Sequence, residues 1–186
     1  MSYNYKAIDN ISGILCRAAQ HVLKVSTHKN VAYSTTIQSI PKIAMKPEIG
    51  CFVQLSGDYN GLFVANFSGD AALNIYKSYM TSMGIPEDEL TNDFHSNEVL
   101  DSIGELVNQI MGKFMKNVGE TYELSANCGQ PKVIALNSAI TLKIDADYSE
   151  NRRLSFNIEN HHFIFEVSME KTEFITLPEG DLTNPE

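Results

Sequence analysis

Glu105 and Asn108 stand three residues apart in the segment DSIGELVN, residues 101–108. On a helix that spacing brings both side chains off one face, about 5–6 Å from each other. An ionised carboxylate accepts charge-assisted hydrogen bonds from a cation, and a carboxamide offers one acceptor and two donors without changing protonation. Together they can grip a partner and position a water, the beginning of a hydrolytic site. Two more residues keep fixed distances from the pair. Asp101 lies four residues before Glu105, and Pro131 follows Asn108 after twenty-two intervening residues. Asp101 suits a helix start or a docking contact. Pro131 suits a strand entry beside the helix, because its ring fixes φ and removes a backbone donor. Gly104 and Gly112 flank the pair, each at a cost of about 1 kcal/mol of helix propensity relative to Ala. A docking partner's backbone coming close is one reason to keep them, and tight packing inside the protein is another.

The element that must carry these residues is a long amphipathic helix. At about 100° per residue, Val99, Leu100, Ile103, Leu106, Val107, Ile110, Met111, Phe114 and Val118 gather on one side. Asp101, Glu105, Asn108, Gln109, Gly112 and Lys116 fall opposite and are expected to face outward. Ser96, with Glu98 and Asp101 behind it, is the expected start, and Gly119 the expected stop.

Around this helix the chain reads as helix, strands, helix, helix, strands. A first helix is expected from about Tyr5 to Val25 and a shorter one over GDAALNIYKSYM, residues 69–80. Strands are expected at Val31 to Ile40, Glu48 to Ser56 and Leu62 to Phe67, the last two adjacent and antiparallel across a Gly57–Gly61 turn. Residues 84–93, acidic and bearing Pro86, read as a surface loop. After the long helix, short strands are expected at Thr121 to Ser125, Pro131 to Leu136 and Ala139 to Tyr148. The clearest hairpin alternates Leu154, Phe156 and Ile158 against Phe163, Phe165, Val167 and Met169, turning at Glu159-Asn160. The fold class is therefore α+β, a largely antiparallel sheet with long helices packed on one apolar face. A single domain over residues 1–175 is expected, with 176–186 as a free acidic tail.

Composition narrows the functions. At 186 residues and 43% apolar the chain supports a sizeable core, and its net charge of −9 argues against a nucleic-acid partner. That total hides an asymmetry: residues 1–47 carry six Lys or Arg against Asp9 alone, leaving −14 to the rest. The basic residues form no dense cluster of the kind that binds anionic membranes. No secretory leader and no run of roughly 18 apolar residues is present, so a cytoplasmic protein is expected. Cys16, Cys51 and Cys128 read as reduced thiols without zinc spacing. His161 and His162, adjacent in a strand, point to opposite faces, which is poor geometry for joint metal binding. His21, His28 and His95 lack ligand spacing, and Met80, Met83, Met111 and Met115 read as core filler. No metal site of the chain's own is expected.

The pattern of Asp101, Glu105 and Asn108, then twenty-two residues and Pro131, resembles the signature of the CheC/CheX/FliY phosphatases, which dephosphorylate CheY-type response regulators in bacterial chemotaxis. The order of elements resembles CheX over residues 7–169. Members of that family can carry a second motif helix. Here the matching positions after Asp9 on the first helix are Gly13 and Cys16, which supply neither acid nor amide. One site per chain is more like CheX than CheC. The resemblance implies that Glu105 pairs with a Lys in the regulator's active site, that Asn108 orients the attacking water, and that Mg2+ is held by the regulator's own acids. It also implies a homodimer through sheet edges. A binding module for a receiver domain or a flagellar component, with the same fold and no turnover, is the alternative. The chain departs from the family in a longer connection before the motif helix, in bulky Val107 and Gln109 beside Asn108, and in an extended C-terminal hairpin. Each departure bears on docking.

Overall fold

The computed structural model describes residues 7–142 and 149–170. In chain order it contains helix α1 (Ala7–Thr27), strands β1 (Val31–Tyr33), β2 (Gln38–Ser39), β3 (Ile43–Met45), β4 (Ile49–Gly57) and β5 (Gly61–Phe67), and helices α2 (Gly69–Ser82) and α3 (Asn97–Tyr122). Strands β6 (Ala126–Cys128), β7 (Lys132–Ala135), β8 (Ile140–Leu142), β9 (Ser149–Ile158) and β10 (His161–Glu170) follow. The tail at 176–186, the strand reading beyond Leu142 to Tyr148 and a helix start at Tyr5 lie outside the described residues. No helix among the described residues is long and apolar enough to cross a membrane.

The sheet runs β1-β9-β10-β5-β4-β6, with β2 also on β9 and β7 also on β4, and its pairings are antiparallel. Period-two alternation sets its faces. Phe163, Phe165, Val167 and Met169 of β10 turn toward the helices and are buried with Phe63 and Phe67 of β5 and Phe156 of β9. The rings interlock: Phe63 meets Phe165 edge-on at 4.9 Å, and Phe156 stacks on Phe163 at 5.1 Å. One core joins this face to α1, α2 and α3. On α3 the expected apolar stripe is buried from Val99 to Val118, with Leu100 half-buried at its margin.

The opposite face of the sheet is not bare. The ribbon of β3 and β8 lies across it over a smaller cluster of Ile43, Met45 and Val64. Strand β3 lies between the strands expected at Val31 to Ile40 and Glu48 to Ser56, in a stretch bounded by Pro41 and Pro47 that reads as a turn region in the sequence. It has only three residues next to Pro47, and side chains satisfy its backbone from elsewhere. Lys46 N–H donates to Asn66 Oδ1 at 2.6 Å, Asn66 Nδ2 donates to Ala44 O at 2.9 Å, and Ala44 N–H donates to Glu166 Oε2 at 2.8 Å.

Three other expectations need correction. The strand expected at Val31 to Ile40 is broken into β1 and β2, because Ser34 Oγ accepts the Thr36 N–H in a local turn that competes with the ladder. Gly119 does not end α3. The helix runs on to Tyr122, and Glu123 takes the left-handed cap at φ 57°, its N–H bonded to Gly119 O. Thr121 and Tyr122 are therefore helical, and the strand expected at Thr121 to Ser125 begins at Ala126 instead.

Candidate functional groove

Helix α3 is aimed by its ends. Ser96 sits in extended backbone with its hydroxyl accepting the Val99 N–H, as a helix N-cap should, and Glu98 follows in the first turn. From that start, Asp101, Glu105 and Asn108 fall on the exposed side, while Ser102, Ile103, Leu106 and Val107 are buried. Val107 therefore does not crowd Asn108, contrary to the reading that counted it among the obstacles to docking.

An open groove of about 790 Å3 runs between this face of α3 and the segment entering β7. Asn97, Asp101, Gly104, Glu105 and Asn108 line it from the helix, and Gln130 and Pro131 from the opposite side. Pro131 immediately precedes β7, which pairs with β4 through Cys51 and Val133. Gly104 allows the two walls to meet, because a Cβ added there would lie 3.2 Å from Val133 Cγ2. Of the two reasons for its glycine, packing inside the protein is the one visible at Gly104. Gly112 lies outside the groove, and a Cβ there would meet nothing within 4 Å.

The two polar side chains differ in how they are held. The Asn108 side chain, exposed in the middle of α3, makes no hydrogen bond to other described residues, so its carboxamide is free to take a water or a partner. Glu105 is tethered: Gln109 Nε2 donates to its Oε1 at 3.0 Å. Gln109 is half-buried, and the same Nε2 lies 3.4 Å from Tyr79 Oη of α2, while its Oε1 accepts from Ser26 Oγ of α1 at 3.4 Å. The sequence places Gln109 on the outward face as a bulky neighbour of Asn108 that bears on docking, with no contact to Glu105 expected. The i to i+4 spacing from Glu105 was the available signal.

On α1, the positions compared with the motif are occupied otherwise. Asp9 accepts from Arg152 Nε of β9 at 2.6 Å, and Cys16 is buried with its thiol pushed up to about 12 by desolvation.

Residues 4–185 match the model of the family described as "Protein of unknown function (DUF3334)". No curated protein matches the chain by sequence. Among solved structures, the chemotaxis protein CheX from Desulfovibrio desulfuricans is 19% identical with a TM-score of 0.72, covering 87% of this chain and 99% of its own. The CheX of the CheX-CheY-BeF3-Mg2+ complex from Borrelia burgdorferi is 17% identical with a TM-score of 0.64, covering 86% and 97%. FliY from Thermotoga maritima is 17% identical with a TM-score of 0.57, covering 90% and 89%. At these identities the likeness establishes the fold, three helices on a curled antiparallel sheet as in the CheX and CheC-like proteins.

Proposed function

The chain belongs to the DUF3334 family and has the fold of CheX, and we propose that it hydrolyses the aspartyl phosphate of a CheY-type response regulator. The observation that carries the reading is that Glu105 and Asn108, both exposed on one face of α3, line a single open groove whose other wall begins at Pro131. The complex of CheX with CheY from Borrelia burgdorferi supports the class of partner.

The chemistry follows from the side chains. An acyl phosphate is hydrolysed when a water attacks phosphorus in line with the leaving oxygen, and much of the attainable acceleration lies in that alignment. Asn108 holds the water through its neutral carboxamide, whose hydrogen-bonding capacity is unspent among the described residues. The water oxygen bonds to phosphorus, the bond from phosphorus to the aspartyl oxygen breaks, and the electron pair leaves on a regenerated carboxylate. Inorganic phosphate is the other product. Glu105 cannot approach a phosphoryl group without a cation, so it pairs with the regulator's Lys and sets Asn108 in register. Mg2+ belongs to the regulator's acids, and no residue of this chain is asked to hold it. Asp101 and Gly104 line the docking surface, whereas Gly112 lies beyond the groove. The substrate carries with it a cytoplasmic location. A homodimer is part of the same reading, with β1 and β6 each having one sheet neighbour among the described residues.

The test uses purified protein, a panel of phosphorylated CheY-type receivers and Mg2+. The phosphate's lifetime is expected to shorten with the wild type and not with Asn108→Ala, whereas Glu105→Ala raises the concentration needed. Equal decay with and without the wild type, in the presence of a measurable complex, would instead identify a binding module for receivers or flagellar components.

A further inference from the structure

We infer that Gln109 is a positioning residue that holds the Glu105 carboxylate ready for docking, an inference that rests on the phosphatase reading. Gln109 follows Asn108 directly and stands one turn after Glu105, so its side chain runs back along the same face. Its amide has two N–H donors, and both have partners: Glu105 Oε1 at 3.0 Å and Tyr79 Oη at 3.4 Å. Its carbonyl accepts from Ser26 Oγ at 3.4 Å. The short contact is the one to Glu105, and the two longer ones orient the amide.

The polarity of that arrangement is decided by Glu105. Turning the amide over would set Gln109 Oε1 against a carboxylate oxygen, acceptor against acceptor, and would face its NH2 toward the Ser26 hydroxyl. The native orientation places a donor where the negative charge is. Partners on α1 and α2 keep it there, and those partners are themselves fixed. Ser82 Oγ lies 2.6 Å from Ser26 O and 2.7 Å from Tyr79 O, and its one proton is shared between the two carbonyls, which ties the ends of α1 and α2 together at this point.

The consequence concerns the cost of docking. A free Glu loses rotamer entropy when it pairs with a partner's cation, and more of it than a shorter side chain would. Glu105 has already lost part of it. Only Oε1 is engaged by Gln109, so Oε2 remains to accept from an incoming ammonium, and the two contacts do not compete. Asn108 lies between the two tethered residues in sequence, and the helical turn that orders Glu105 also orders the approach to Asn108.

The hold itself is read in the free protein. The side-chain NH2 resonances of Gln109 are expected to move when Glu105 is changed to Ala, and unmoved resonances overturn the inference. Its role is read in turnover of a phosphorylated CheY-type receiver. Gln109→Leu is expected to raise KM about fivefold with kcat within about twofold of wild type. In a Glu105→Ala background the same substitution should add nothing, because there is no carboxylate left to position. Additive losses in the double variant mean that Gln109 acts only on packing, and an unchanged KM means that the tether does not aid docking; either result overturns the proposal. A wild type that neither binds nor hydrolyses any receiver defeats the phosphatase reading, and the docking role with it. The amide spectrum separates that failure from loss of the Gln109 contact.

Discussion

A methyl group on Gly104 would stand 3.2 Å from Val133 Cγ2, so the helix and the strand after Pro131 are in contact one residue before Glu105. This gives the twenty-two residues between Asn108 and Pro131 a physical meaning. They finish α3, turn through β6 and return the chain to the helix at the height of the acid.

The two glycines flanking the pair are therefore expected to respond differently to Ala. Gly112→Ala enters open space and should stabilise the protein by up to about 1 kcal/mol from helix propensity alone. Gly104→Ala gains the same propensity but must push Val133 aside, so its net effect should fall near zero or below. Gly104→Val should displace β7 and weaken docking. Urea denaturation compares the two Ala variants, and equal stabilisation would refute the contact.

Glu166, fully buried in β10, takes Lys46 Nζ and Arg153 Nε on Oε1 at 3.0 Å each, and the Ala44 N–H on Oε2. Removing the acid leaves two cations facing each other and a strand N–H without its acceptor. Glu166→Ala should cost about 2–3 kcal/mol and loosen the β3 ribbon, with α3 unaffected. The check is amide exchange: protection should fall at Ala44 and Lys46 before it falls in α3.

Alkaline pH should unfold the protein early. Burial pushes the thiols of Cys16 and Cys51 up to about 12 from an ordinary 9.0, with the neighbouring Cys128 adding to the effect at Cys51. Below pH 9 both folded and unfolded chains keep these protons, so nothing is lost. Between pH 9 and 12 the unfolded chain releases them and the folded chain does not, and stability falls by about 1.4 kcal/mol per pH unit for each thiol. Tyr59, raised to about 12 from 10.0 chiefly by burial, adds to the slope above pH 10. Urea midpoints measured from pH 8 to 10 should drop, and Cys16→Ala should flatten the drop.

Local pattern made much of this legible. The apolar stripe of α3, its Ser96 start and the outward set of Asp101, Glu105 and Asn108 follow from the 3.6-residue period, which one strand of sequence records in full. The β9-β10 hairpin follows likewise from strict alternation and a turn at Glu159, whose φ is 52°. The end of α3 was misplaced because a glycine can serve packing as well as termination: a Cβ on Gly119 would meet Leu124 O at 3.4 Å, where the chain returns over the helix.

What the sequence alone determined is which residues share a face, since helix and strand periods are local geometry. What only the tertiary structure decided is what those faces meet. Ser26 and Gln109 are separated by 83 positions and Tyr79 and Gln109 by 30, and no period links them. The ribbon of β3 owes its place to Asn66 and Glu166, and the groove owes its second wall to β7 lying against Gly104. Such contacts come from the packing of whole elements, which fixes distances between side chains that the chain's own order leaves free.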